Sequence, residues 1–336
     1  MIIETKSNNN LESCSNCLFC DGEKIKKVIG GVKDEFFNSD PGEFDFLVCA
    51  DCDSIWLSRR PIGERLIRAY SDYYTHSNEK EGSGLGITLR SWIKAAYIRS
   101  RLHSRPRLID RIVGWAIVAA GHDTFGRSLR CAPAAPARIL DYGCGNGAYL
   151  MQLMQFNYEL HGVEYDPHLL GRLENLGIAI HDVATLNEDQ WEGSFDHITL
   201  SHVLEHVPNP QQLLKVLSRW LKPGGSLYLE LPNASATGLA IFGRFWRGLE
   251  APRHFALPSQ RALADALSRA GFVIELQHIE QAARPWLWGQ SLSATPADQR
   301  DVMRRAMFEA PTENKTNAEL LTLLVRKSTE VAVVAP

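Results

Sequence analysis

The stretch Arg138-Ile-Leu-Asp-Tyr-Gly-Cys-Gly-Asn-Gly-Ala148 constrains this chain more than any other. Ile139 and Leu140 form a short apolar run that ends in Asp141. Gly143, Gly145 and Gly147 follow at alternate positions, and Tyr149, Leu150 and Leu153 begin a helical pattern. The pattern predicts a buried parallel strand, a tight glycine turn and a helix N-terminus. Without Cβ atoms the turn can adopt unusual backbone angles and let a ligand approach the main chain. The helix start adds unpaired N–H donors. Such a turn cradles a nucleotide-like cofactor at the carboxyl edge of an α/β sheet.

Beyond the turn, strand and helix patterns alternate, which predicts a parallel sheet with helices on both faces. Strands are expected at 138–142, 158–164, 178–181, 196–201 and 225–231. A helix fits 210–221: Asn209 caps it, Pro210 suits its first turn, and Leu213, Leu214, Leu217, Trp220 and Leu221 make one apolar face. Pro223-Gly224-Gly225 ends it. A second helix fits 259–270, with Ser259 as cap, Leu263 and Leu267 inward, and Gly271 past its end. Two late strands fit 272–279 and 318–327.

Two cofactors suit the glycines. Gly143, Gly145 and Ala148 match the dinucleotide pattern G-x-G-x-x-A. Glu164, at the end of the next strand, can accept from ribose hydroxyls in either case. The order of further motifs separates the two. Asp-x-Gly-x-Gly-x-Gly at 141–147, Gly162-Val-Glu-Tyr-Asp166, Phe195 to Val207 and Leu221 to Leu227 together resemble the class I S-adenosylmethionine-dependent methyltransferases. That resemblance implies an α/β, Rossmann-like seven-stranded methyltransferase sheet over 137–328, closed by 272–279 and 318–327 as an antiparallel pair. It implies S-adenosylmethionine as cofactor. The binding residues it points to are Asp141, Gly143, Gly145, Gly147, Glu164, Tyr165, Asp182 and Ser201. Asp182 falls near the adenine amino group, and Tyr165 can pack on the adenine ring.

Five of the seven cysteines lie between Cys14 and Cys52. Cys17-Leu-Phe-Cys20 and Cys49-Ala-Asp-Cys52 are two C-x-x-C pairs that can share one structural Zn²⁺ in tetrahedral geometry. Cys14-Ser-Asn-Cys17 has the same spacing, but Asp21-Gly22 supplies the turn expected after Cys20. A segment this short has little core of its own, so the metal would fold it. The expected organisation is a polar, disordered lead-in over 1–12, a zinc-ribbon module over 13–60, and a helical connecting and substrate-cover segment over 61–130. A linker at Cys131–Pro136 then leads into the catalytic domain. A ribbon, a tyrosine-rich stretch (Tyr70, Tyr73, Tyr74) and this core resemble bacterial sugar and natural-product tailoring methyltransferases. In those the ribbon and tyrosines help cover the substrate.

Methyl transfer from a sulfonium is an in-line displacement that often needs a base. His202, Glu205 and His206 stand where the fourth strand ends, on one side if a helical turn starts there. His206 or His202 can serve as base. Alternatively the segment holds a divalent cation, as the ubiquinone-biosynthesis O-methyltransferases that it resembles do. His254 follows a Gly/Trp/Phe-rich insertion at 238–250 and is another base candidate; Trp246 and Phe245 either line a substrate pocket or pack the insertion. These readings predict a small-molecule acceptor, with O-methylation favoured over C-methylation. A non-catalytic binding module and a protein methyltransferase are the rivals.

The net charge of −3 carries no global basic footprint for nucleic acid. No apolar targeting region follows Met1 and no run of 18 apolar residues occurs, so a cytoplasmic location is the default expectation. The arginines from Arg99 to Arg111 precede an apolar run, Ile112 to Ala120. Contact with a membrane surface through 99–120 is one reading and binding of a substrate phosphate another; a solvated face beside an ordinary packed helix is the favoured one.

Overall fold

Ile139 and Leu140 are fully buried at the centre of a seven-stranded sheet, where a short apolar strand between two parallel neighbours belongs. The computed structural model describes residues 10–70, 85–103, 105–120, 129–278 and 283–329. Its N-terminal elements are β1 (Leu11–Ser13), β2 (Ile25–Val32), β3 (Phe44–Cys49), β4 (Ile55–Leu57), β5 (Arg59–Pro61), α1 (Gly63–Tyr70), α2 (Leu85–Leu102) and α3 (Leu108–Ala119). Then come β6 (Ala137–Tyr142), α4 (Ala148–Leu153), β7 (Tyr158–Glu164), α5 (Pro167–Glu174), β8 (Ala179–Asp182), β9 (Phe195–Ser201), α6 (Pro210–Trp220) and β10 (Leu221–Pro232). The chain continues through α7 (Thr237–Phe242), β11 (Ala256–Leu257), α8 (Gln260–Arg269), β12 (Phe272–His278), α9 (Ala283–Ala294), α10 (Arg300–Phe308) and β13 (Leu320–Lys327).

The large sheet runs β12-β13-β10-β9-β6-β7-β8. β8, β7, β6, β9 and β10 are mutually parallel. β13 lies antiparallel between β10 and β12, the closing pair that the sequence predicts. Strand order reverses at β6 and β9, so their carboxyl ends open a crevice. The capping expectations hold locally. The Asn209 side chain accepts from the Gln212 N–H at 3.0 Å, and Ser259 Oγ accepts from the Ala262 N–H at 3.1 Å. Leu214, Leu217 and Trp220 bury the inner face of α6, each contributing about 1.5–3 kcal/mol of transfer free energy.

One boundary needs correction. Residues 11–13 are not a loose lead-in: they form β1, antiparallel to β5, with Leu11 opposite Pro61. Strand pairing gives their backbone groups partners that polar composition does not reveal.

The cysteine-rich segment builds a second sheet of order β11-β4-β3-β2. Its edge strand, β11, comes from a segment some two hundred residues away in sequence, with Ala256 opposite Trp56. Further bonds seat the cysteine-rich segment on residues 255–269. The Leu57 N–H donates to the Phe255 carbonyl at 2.9 Å, Ser259 Oγ donates to the Cys52 carbonyl at 2.6 Å, and Arg269 donates to the Phe19 carbonyl at 2.7 Å.

Arg253 lies at the centre of this joint and is fully buried. Its guanidinium grips Asp34 of the cysteine-rich segment in a two-pronged pair at 2.7 and 3.0 Å. It also donates to Glu250 at 3.2 Å and to the Ala69 carbonyl at 3.1 Å, and it stacks on Phe37. Burial works against ionised Asp34, but Arg253 and Ser39 outweigh it and hold its pKa below the usual range. Burial likewise opposes ionised Glu250, yet His254, Arg247 and Arg253 bring its pKa down to about 2.

A carboxyl with a lowered folded pKa contributes stability that is complete above its unfolded value and lost as pH falls through the folded one. Thermal melts should therefore show stability declining as pH drops from about 4.5 toward 2, and less steeply in Asp34→Asn/Glu250→Gln. Equal slopes would count against this cluster. At neutral pH, Asp34→Asn leaves a buried guanidinium short of an anion and should cost about 3–5 kcal/mol in a denaturant melt.

Candidate active site

The three glycines of the turn all have positive φ: +75° at Gly143, +53° at Gly145 and +76° at Gly147. A Cβ on Gly143 would collide with Val203, and one on Gly147 with Leu173. The Gly143 and Cys144 N–H groups donate to the Val163 carbonyl at 2.8 and 3.0 Å, which clamps the turn to the end of β7. Glu164 closes the same clamp. Its Oε2 accepts from the Gly145 N–H at 2.7 Å and its Oε1 from the Tyr165 N–H at 2.8 Å.

Asp141 lies beneath the turn and is 1% exposed. Its Oδ1 accepts from the Thr199 hydroxyl at 2.6 Å and from Arg130 at 2.5 Å. Its Oδ2 is buried without a hydrogen-bond partner among the described residues. Burial raises its pKa, with Arg130 and Thr199 pulling the other way. Arg130 stacks 4.5 Å over Tyr149 and brings a cation to the crevice. The sequence reading missed it; the only hint is an arginine directly before the Cys131–Pro136 linker. Past β8, Asp182 helps line a cavity of about 300 Å³ with Ile180, His181, Thr185 and Gln190. Tyr165 is exposed, and Ser201 ends β9 opposite Glu230.

Beyond Ser201 the backbone turns sharply, with His202 at φ +55°. A short 3₁₀ turn, Leu204–His206, follows instead of an α-helical one. His202 therefore faces two carboxylates, Glu205 at 3.3 Å and Glu230 at 3.5 Å. Burial disfavours its charge, but Glu205 and Glu230 prevail and raise its pKa well above the ordinary histidine value. That environment favours the charged form of the His202 ring. Burial opposes the charge of Glu230, but His202 foremost, with Tyr228 and Arg130, holds its pKa down to about 2.

His206 turns the other way, toward the 247–255 loop. Its Nδ1 lies 3.0 Å from the Arg253 carbonyl and 2.9 Å from the Tyr70 hydroxyl. A carbonyl only accepts, so Nδ1 carries the hydrogen and the lone pair falls on Nε2. His254 packs edge-on against His206, with ring centroids 4.7 Å apart. It is buried and donates from Nδ1 to the Gly248 carbonyl at 2.8 Å. Burial lowers its pKa to about 4, so it is neutral and sits behind His206. Ligand atoms of Glu205, His206 and His254 lie within 4.8 Å of one another. Glu205 is fully buried, and its Oε2 has no hydrogen-bond partner among the described residues. Burial opposes its charge, and the facing histidines hold its pKa low.

Trp246 is buried and donates to Glu319 at 2.9 Å, so it packs the insertion. Phe245 lines a separate cavity with Arg244, Gly31 and Thr295. Tyr73 and Tyr74 lie outside the described residues. The four cysteines of the two pairs come together: Cys17 and Cys52 Sγ are 3.6 Å apart, Cys20 and Cys49 Sγ 3.5 Å, and all four lie within 4.8 Å. A tetrahedral Zn²⁺ with four sulfurs at 2.3 Å would space them by about 3.8 Å, so the donor set fits that ion. Cys14 is not one of this set.

Comparison with known proteins finds methyltransferases. A family model described as a methyltransferase domain matches residues 122–277. A ubiquinone biosynthesis O-methyltransferase of Xanthomonas axonopodis pv. citri is 32% identical over 163 residues, 44% of this chain and 67% of that protein. Its counterpart in Xanthomonas oryzae pv. oryzae is 32% identical over 144 residues, 38% of this chain and 60% of that protein. The match thus spans about two thirds of these relatives or less. A solved S-adenosylmethionine-dependent methyltransferase from Mesorhizobium loti aligns with a TM-score of 0.43 at 18% identity, over 60% of this chain and 97% of that one. With the parallel sheet, the antiparallel closing strand and the glycine turn at the strand-order reversal, the family-model and Xanthomonas axonopodis matches make the chain a member of the class I S-adenosylmethionine-dependent methyltransferases.

Proposed function

We propose that this enzyme methylates a hydroxyl group of a small-molecule acceptor: a sugar, a glycan precursor or a natural product. The observation that carries the reading is His206, whose Nε2 lone pair is set by the bond from Nδ1 to the Arg253 carbonyl at the carboxyl edge of β9. The names of the Xanthomonas relatives, both O-methyltransferases, support oxygen over carbon as the acceptor atom.

When bound, the cofactor supplies an electrophilic sulfonium methyl. Glu164 would hold the ribose hydroxyls, and Asp182 and Tyr165 the adenine. Gly143, Gly145 and Gly147, with Ser201, would line the path of the chain between them. Arg130 would offer its guanidinium to the cofactor's carboxylate while Asp141 anchors it from below. His206 would accept the hydroxyl proton at Nε2. Glu205 would then face an imidazolium it is already placed to stabilise, and neutral His254 would keep water from its far side. The zinc assigned to Cys17, Cys20, Cys49 and Cys52 would keep the module rigid behind the 250–257 segment.

Three measurements test this. Gly145→Val places a branched residue at positive φ in the clamp with Glu164. Isothermal titration should show loss of S-adenosylhomocysteine binding with the far-UV spectrum unchanged; retained affinity would move the cofactor elsewhere. His206→Ala should cut turnover by about 10²–10⁴-fold with nearly unchanged cofactor affinity. Full turnover in that variant would leave positioning alone as the source of rate. Elemental analysis should find one zinc per chain, lost in Cys49→Ser. A second bound divalent ion, lost in His206→Ala, would instead assign Glu205, His206 and His254 to a metal.

A further inference from the structure

The helical hairpin between the cysteine-rich sheet and the glycine turn carries residues that the proposed reaction does not use. α2 and α3 cross closely at Gly114, where a Cβ would strike the Ser100 side chain. Asp110 on the inner face of α3 is buried and takes Arg99 of α2 at 2.8 Å. α2 in turn seats Tyr97, Ile98 and Leu102 in the core beside Tyr149 and Leu150, against the helix that follows the glycine turn. These contacts fix which side of α3 looks outward. That side is Leu108, Ile112 and Trp115, flanked by Ile109 and Val118. Leu108 is 71% exposed and Trp115 73%. The helix packs on α2, and its outward face carries large apolar side chains beside the exposed arginines. Exposed large side chains gathered on one helix mark an interaction surface.

The charge around this face says what the surface fits. From Leu85 to Ala120 the chain has seven arginines and lysines and one acidic residue, Asp110, although the whole chain carries −3. Arg105 and Arg107 lie exposed just before α3, and Arg111 is exposed in its first turn. The 12-residue helix spans about 18 Å, short of the roughly 30 Å of a bilayer's hydrocarbon. Among the described residues no helix is long and apolar enough to cross a membrane. An apolar stripe with an exposed tryptophan, rimmed by arginines, suits a helix lying in the plane of an anionic lipid surface. A second copy docked face to face would set arginines against arginines.

We propose that α3 docks the enzyme on an anionic bilayer surface. Leu108, Ile112 and Trp115 enter the boundary between headgroups and acyl chains, and Arg105, Arg107 and Arg111 meet the lipid phosphates. The test is co-sedimentation of the full chain with vesicles of equal phosphatidylglycerol and phosphatidylcholine, or of phosphatidylcholine alone. The chain should pellet with the anionic vesicles and at least tenfold more weakly with the neutral ones. Leu108→Ser/Trp115→Ser should weaken the anionic binding by at least tenfold. Arg105→Gln/Arg107→Gln/Arg111→Gln should weaken it by about fivefold for each arginine without relying on the apolar stripe. Failure to pellet with anionic vesicles, equal binding to neutral ones, or wild-type binding by both variants would overturn the proposal. So would a dimer in sedimentation velocity that Trp115→Ser dissociates while vesicle binding is absent.

Discussion

The rest of the site depends on Arg253. A fully buried guanidinium costs several kcal/mol unless it is met by anions, so its partners are bound to it by necessity. Those partners come from separate parts of the chain: Asp34 from the cysteine-rich segment, Glu250 from the segment between α7 and β11, and the Ala69 carbonyl from α1. The Arg253 carbonyl meets His206 from the other side. The charge pair thus sets where the 250–257 segment runs. That segment supplies β11 to the small sheet and, through the Phe255 N–H, a 2.6 Å bond to the Glu205 carbonyl. One buried ion cluster therefore connects a cysteine-held sheet to the edge of β9.

The same edge shows how charge sorts three histidines within a few residues. His202 meets two carboxylates, which raise its pKa. His254 is buried against a carbonyl and stays neutral, with its pKa near 4. His206 is half-buried, with its Nδ1 against the Arg253 carbonyl. The proposed proton transfer is assigned to His206, whose Nδ1 is held against a carbonyl at the end of β9.

Much of the catalytic fold was legible in the sequence because its signals are local. Asn209, Ser259 and Gly271 bound their helices by chemistry that acts within a turn. The apolar run 139–140 marks a strand buried between two parallel neighbours. The two C-x-x-C pairs point to one another because a shared ion has few other solutions. What stayed hidden depends on distant partners. Nothing near Ala256 announces that it joins Trp56, and nothing near His202 announces Glu230. The Arg130–Asp141 pair joins the residue before the linker to the floor of the turn. The outward face of α3 follows from how α2 packs, not from its own composition.

The central claim is that the Arg253 cluster makes the cysteine-rich sheet, the 250–257 segment and the end of β9 one cooperative unit. Hydrogen–deuterium exchange of Asp34→Asn against the wild type tests it without any acceptor. If the account is right, exchange accelerates together in peptides covering 44–57, 203–207 and 250–257, while the 137–142 strand stays protected. Acceleration confined to the residues around position 34, with 203–207 and 250–257 unchanged, would contradict it.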